Sequence, residues 1–249
     1  MPLIVAAAQT ISVAGDMPAN IVQHLRFMRE AAAHGVQVLL FPELSLTGYE
    51  LATADELAID ADDARLAPMR DLARETGMRA VVGAPLRTEN GKVAIAALVL
   101  QDDGGISVYC KQHLHASEEK AFVAGLGGAP VQVGDDQIAL AVCADATHAS
   151  HAAQAASGNP AVYAAGSVIS VGSYPTESAQ LAGYAATHGM AVLLANHGGP
   201  TGGWPCAGCS AVWAPGGEQL AAAPGVGEFL VIATRQGRDW SGAVITLQA

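Results

Sequence analysis

Val36-Gln-Val-Leu-Leu-Phe41 runs without a break into Pro42-Glu-Leu-Ser-Leu-Thr-Gly-Tyr49. The first piece is an almost wholly apolar run, as expected of a strand buried on both faces. The second places a carboxylate, Glu43, at the mouth of that strand. A charge there must be paired or have work to do, because an unpaired buried charge is costly. Two later stretches repeat the layout. Ile106–Cys110 leads into Lys111, and Gln137–Val142 leads into Cys143. A carboxylate, an ammonium and a thiol, each at the end of an apolar strand, are the parts needed to make and break an acyl-thioester.

Around these three stretches, strands and helices alternate. Strands are expected at Leu3–Ala8, Val36–Phe41, Arg79–Ala84, Val93–Leu100, Ile106–Cys110, Gln137–Val142, Ala161–Val171, Met190–Ala195, Ser210–Ala214, Phe229–Thr234 and Ala243–Leu247. Helices are expected at Asn20–His34, at the Leu66, Met69, Leu72 stripe closing at Gly77, at Thr147–Ser157 and at Thr176–His188. Gly-containing turns at Thr88–Lys92 and Asp102–Gly105 suggest antiparallel hairpins. No linker, repeat or low-complexity segment interrupts the pattern. We expect one α/β domain over residues 1–249, a layered sandwich of mixed sheets with helices outside.

Composition narrows the function. Of 249 residues, 51% are apolar and 14% charged, and the net charge is −11 with only 12 Lys and Arg. Without a basic run, nucleic acid is not an expected partner. No apolar run approaches the length of a membrane span, so no membrane is expected either. The start, MPLIVAAAQT, reads as a first strand and lacks a signal-peptide layout. Cytoplasmic residence is the default. The low charged fraction suggests a partly covered surface, hence a homodimer or higher homo-oligomer. The four cysteines, Cys110, Cys143, Cys206 and Cys209, are expected to be free. Cys206 and Cys209 form a CxxC, which reads as two thiols in a Gly-rich turn, since no second metal-ligand pair accompanies it.

Read singly, each candidate has a bland alternative. Cys143 is placed as a buried structural thiol would be, Glu43 as a loop carboxylate, and Lys111 as a surface cation. As a set they fit one chemistry. A thiol entering a helix would meet the positive end of a helix dipole, which favours thiolate. A glutamate poised between burial and a cation can take a proton and return it. An ammonium beside it can hold an oxyanion.

The motifs VAAAQ (Val5–Gln9), FPELSLTGY (Phe41–Tyr49), YCKQHL (Tyr109–Leu114), VCAD (Val142–Asp145), LLANHGG (Leu193–Gly199) and GCSAVWAPGGE (Gly208–Glu218) together resemble the nitrilase superfamily of carbon–nitrogen hydrolases. The resemblance implies an αββα sandwich that dimerises into a four-layered body. It implies a Glu-Lys-Cys triad of Glu43, Lys111 and Cys143, with Glu118 rather than Glu119 as a second glutamate holding Lys111. It implies no cofactor and no metal, and the Ala144 N–H joins Lys111 in holding the oxyanion. Tyr49, Ala144, His148, Asn196 and His197 become candidate substrate contacts, whereas Trp204 and Trp213 read as packing residues. The expected reaction is hydrolysis of a small, mostly neutral amide to acid and ammonia. Nitrile or N-carbamoyl hydrolysis, or a silent binding protein on the same fold, are the alternatives.

Two features of this chain bear on substrate. Ala144-Asp145 follows the cysteine, where many relatives carry an aromatic residue or, in true nitrilases, Trp-Glu. Residues 121–234 hold no Lys or Arg. That stretch includes the segments expected to wall the acyl pocket, and a carboxylate is best gripped by an arginine fork. An anionic acyl group is therefore disfavoured. Glu118, Asp145 and Glu177 are carboxylates available to a cationic one.

Overall fold

A computed structural model describes residues 2–247. Strand β1 (Leu3–Gln9) leads to helix α1 (Met17–Ala33), strand β2 (Val38–Leu40), the short helix α2 (Ala54–Leu57) and α3 (Ala67–Thr76). Three strands follow, β3 (Arg79–Arg87), β4 (Val93–Leu100) and β5 (Ile106–Cys110). The second half runs β6 (Val131–Val133), β7 (Asp136–Val142), α4 (Ala144–Thr147), α5 (Ala149–Ala156), β8 (Val162–Ser167), α6 (Tyr174–His188) and β9 (Ala191–Asn196). It closes with β10 (Ala211–Trp213), β11 (Gln219–Ala222), β12 (Phe229–Gln236) and β13 (Asp239–Thr246).

Two mixed sheets result, ordered β13-β12-β1-β2-β3-β4-β5 and β11-β10-β9-β8-β7-β6. They pack face to face through one apolar layer, with Val5, Leu40, Val81 and Ile95 from the first meeting Val142, Ala164, Leu193 and Val212 from the second. Alternation sends the other side chains outward. Ala6, Leu39, Val82 and Leu98 meet Phe27 and Met28 of α1 and Met69 of α3. Tyr163, Ala165, Val192 and Leu194 meet Ala152 of α5 and Leu181 and Ala185 of α6. The layers are therefore α–β–β–α. Both faces of each sheet are covered, which is why β2, β4, β8 and β9 are buried end to end.

β4 and β5 begin and end where the sequence pattern places them, and both hairpins are antiparallel. Elsewhere the boundaries move for physical reasons. Helix α1 starts three residues earlier than expected, because Asp16 caps the Ala19 N–H at 3.0 Å and Pro18 fits the first turn. Strand β2 keeps only the middle of Val36–Phe41, since Phe41 turns into the Glu43 loop. The expected helix Thr147–Ser157 is broken at His148, whose backbone is extended (φ −99°, ψ 110°) between α4 and α5. The expected strand Ala161–Val171 stops at Ser167. Beyond it, Val171 N–H donates to Pro205 C=O at 2.9 Å and Ser170 bridges to Cys206, so this apolar segment walls a pocket instead of extending the sheet. Strands β6 and β11, three and four residues long, carry too little pattern to be read from the sequence.

Candidate active site

The ends of β2, β5 and β7 converge. Glu43, Lys111 and Glu118 are all buried, and their side chains form one cluster. Lys111 Nζ lies 2.6 Å from Glu43 Oε1 and 2.7 and 2.8 Å from the two oxygens of Glu118. The ammonium is thus held between two carboxylates. Glu118 is fixed in turn by Tyr49 Oη on Oε1 (2.7 Å) and the His115 N–H on Oε2 (2.8 Å). Glu119 is exposed.

The electrostatics follow from three buried charges that do not cancel. Burial pushes the Glu43 carboxyl up, to about 7, although Lys111 and the Cys143 thiol act to keep it ionised. Burial would lower the Lys111 ammonium, but Glu43 and its neighbours outweigh that, so it stays protonated. The Cys143 thiol is pushed well up by burial first and by the Glu43 carboxylate second. The expected lowering by a helix dipole does not occur. Helix α4 has four residues, too few to build a dipole that offsets burial. In the resting protein the thiol therefore keeps its proton, and Glu43 Oε2, buried without a hydrogen-bond partner among the described residues, is a vacant acceptor in the same cluster.

Local backbone places each group. The Glu43 loop is clasped between β3 and β8. Gly83 N–H donates to Ser45 Oγ at 3.1 Å, and the Leu46 N–H donates to the Gly83 carbonyl at 2.9 Å. Glycine is required at two of these contacts. A Cβ on Gly83 would lie 2.3 Å from Leu44 N, and one on Gly166 2.6 Å from the Phe41 carbonyl. His24 donates from Nδ1 to the Asn20 carbonyl (2.6 Å), so its Nε2 accepts from Ser45 Oγ (2.9 Å). Cys143 sits at φ 46°, a left-handed conformation that costs a non-glycine residue energy and turns the chain sharply from β7 into α4. Its N–H is held by the Gly166 carbonyl at 3.0 Å. Ala144, at the first position of α4, has an N–H with no carbonyl available within its own helix.

Cys143 opens onto a cavity of about 120 Å³, lined by Tyr49, Cys143, Ala144, Val168, Glu177 and Trp204, with His115, Thr147, Ser170 and Ser173 completing the wall. The structure brings Tyr49 and Ala144 to this cavity as expected, but not the other three candidate contacts. His148 is exposed, turned to the Ala144 carbonyl at 2.8 Å and stacked on His113. His197 is buried and donates from Nε2 to the Glu43 carbonyl at 2.7 Å, with burial holding its pKa down at about 4. Asn196 bonds the backbone of Ile169 on both sides (2.8 and 3.0 Å) and the Gly208 carbonyl, which fixes the segment that walls the cavity. These two support the site from behind. Trp204 lines the cavity at 40% exposure, whereas Trp213 is packed in the core. Ser170 and Ser173 escaped the sequence reading. Their only signal there is the Ser-x-x-Ser-x-x-x-Glu spacing entering α6.

Asp145 was a departure from pattern in the sequence. In the structure it is a buried anchor that accepts from Tyr109 Oη, the Gln112 and His113 N–H groups and the Val142 N–H.

A family model for carbon-nitrogen hydrolases matches residues 4–242. Among solved structures, a variant of the amidase from Nesterenkonia sp. AN1 in complex with butyramide is similar, with a TM-score of 0.84 and 26% identity over 94% of this chain and 90% of that one. Another variant of the same amidase, with the same TM-score, identity and coverage, shows the acetamide moiety of fluoroacetamide added covalently at the active-site cysteine. A nitrilase from Pyrococcus abyssi is 30% identical over 126 residues, and a 2-oxoglutaramate amidase from Bacillus subtilis is 30% identical over 98 residues. Those matches span 48% and 39% of this chain, and 47% and 38% of the two relatives' lengths, less than half in each case.

Proposed function

Because the chain belongs to the carbon–nitrogen hydrolase family, we propose that it hydrolyses a small, uncharged amide to a carboxylic acid and ammonia through a thioester on Cys143. The observation that carries this reading is the buried Glu43–Lys111–Glu118 cluster beside a thiol that keeps its proton and opens onto a small cavity.

The step balances within those residues. The Cys143 S–H proton passes to Glu43 Oε2 as sulfur attacks the amide carbon. Lys111 Nζ and the Ala144 N–H hold the resulting oxyanion. Glu43 returns the proton to the leaving nitrogen, the C–N bond breaks and ammonia departs, leaving the thioester. A water then gives its proton to Glu43 and attacks the same carbon. The C–S bond breaks, the acid leaves and the proton returns to sulfur. Glu118 touches none of the reacting atoms in this scheme; it holds Lys111 in place. Tyr49 lines the cavity and locks Glu118.

Size supports the substrate class, since about 120 Å³ admits an acyl chain of only a few heavy atoms. Supporting the reaction class, a similarly folded amidase carries butyramide in one structure and a cysteine adduct in another. One domain acting in the cytoplasm as a homodimer completes the reading, and sedimentation tests the dimer. The decisive experiment is ammonia release from butyramide, butyronitrile and N-carbamoyl-β-alanine, with Cys143→Ala alongside. Release from the amide, lost in the variant, is expected. Release from the nitrile or ureido compound alone would reassign the reaction. No release from any of the three by the folded protein would favour a silent binding protein.

A further inference from the structure

The lining of the cavity, apolar at Val168 and Trp204, carries a single carboxylate, Glu177, in the first turn of α6. Ser173 and Ser170 line the same cavity with their hydroxyls 3.0 Å apart, and Ser173 acts to keep the Glu177 carboxyl ionised against its burial. No Lys or Arg lines the cavity. The one other titratable side chain at its mouth besides Cys143 and Tyr49 is His115. Its Nδ1 pairs with Ser117 Oγ at 2.8 Å, within its own loop. A part-buried carboxylate with no cation beside it has unmet demand for a donor.

We propose that Glu177 is a specificity residue that reads the far end of the acyl chain, favouring a terminal ammonium or other hydrogen-bond donor and rejecting a terminal carboxylate. This rests on the amidase reading above and revises its uncharged acyl group to one that carries an amino group at the distal end of a short chain. The glutamate matters because thioester chemistry at Cys143 is indifferent to the far end of the chain. Discrimination must come from a group that meets that end, and a lone carboxylate rejects a like charge more strongly than it rewards a neutral chain.

The test separates binding from turnover. Cys143→Ala is titrated calorimetrically, at about pH 8, with three amides of similar length, 4-aminobutyramide, butyramide and succinamate. We expect affinity in that order, with the cationic amide at least roughly tenfold tighter than the anionic one. Adding Glu177→Gln to the same background should collapse the ratio between cationic and anionic amides towards one, and Glu177→Lys should invert it. An unchanged ratio in both double variants overturns the proposal, as does failure of 4-aminobutyramide to bind more tightly than succinamate. Turnover by the native protein is scored apart. Butyramide bound in the expected order but never hydrolysed would refute the amidase reading and leave the role of Glu177 standing.

Discussion

Asp145 Oδ2 accepts a hydrogen bond from Tyr109 Oη at 2.8 Å, and this contact joins the strand that delivers Lys111 to the loop that delivers Cys143. The same carboxylate reinforces the join. Oδ1 receives the Gln112 and His113 N–H groups at 3.0 and 2.8 Å, and Oδ2 receives the Val142 N–H at 3.2 Å. His151 and Gln112 add donors to Tyr109 Oη from the other side. Ammonium and thiol thus come from different sheets yet share one anchor.

Removing that anchor should be severe. Asp145→Ala leaves several buried N–H and O–H donors without an acceptor, each costing about 1–3 kcal/mol. We expect a fall in Tm of many degrees and loss of most activity. Asp145→Asn keeps one acceptor oxygen and loses the other. It should fold, with kcat reduced at least about tenfold and KM changed less, because Lys111 and Cys143 lose register while the cavity wall remains. Kinetics of the asparagine variant near those of wild type would show that the anchor does not set the register.

Lys111→Ala removes an oxyanion donor and leaves Glu43 and Glu118 as two buried carboxylates with no cation between them. Loss of a comparable donor costs about 100- to 1,000-fold in kcat. Stability should fall as well, and most at alkaline pH, where both carboxylates would have to ionise together. Steady-state kinetics and thermal melts over a pH series check both parts. Turnover within a few-fold of wild type would remove Lys111 from the reaction.

Gly166→Ala tests how closely the Glu43 loop is clasped. Its Cβ would lie 2.6 Å from the Phe41 carbonyl, backbone that has no flexible end to swing away. Overpacking of this kind costs typically about 1–3 kcal/mol. Because the displaced segment leads straight to Glu43, kcat should fall by more than the melting temperature suggests, with the protein still folded. A variant that loses stability but retains full kcat would place the strain elsewhere.

The layers were legible because buried parallel strands such as β8 and β9 are continuous apolar runs, and because Gly77 and Gly189 end their helices in left-handed turns. What misled was apolar sequence with another use. Val168–Val171 reads as the end of a strand, yet it walls the cavity, a placement decided by Asn196 bonding Ile169 from the end of β9. His148 reads as a pocket residue by its nearness to Cys143, and only the break between α4 and α5 shows it facing away. The role of Asp145 lay outside any local pattern, because its partners come from a strand more than thirty residues away. The chemistry of Cys143 also needed the structure. Position before a helix suggested a lowered thiol pKa, and burial beside Glu43 reverses the sign.

That reversal sets the pH dependence. Glu43 must be ionised to take the thiol proton, and burial raises its carboxyl from 4.5 to about 7. The free enzyme's kcat/KM should therefore fall with unit slope as pH drops below about 7, and level off above it. Stability runs the other way. Between about 4.5 and 7 the folded state binds a proton that the unfolded state has released, so this residue's contribution to stability declines as pH rises through that window and stays lost above it. The difference corresponds to roughly 3 kcal/mol. Glu43→Gln removes the charge and leaves Lys111 paired with Glu118 alone. It should abolish turnover and melt higher than wild type at about pH 8, with the gap closing towards pH 4. A glutamine variant no more stable than wild type at alkaline pH would mean that Lys111 already compensates the buried charge in full, and the activity profile should then break nearer 4.5 than 7.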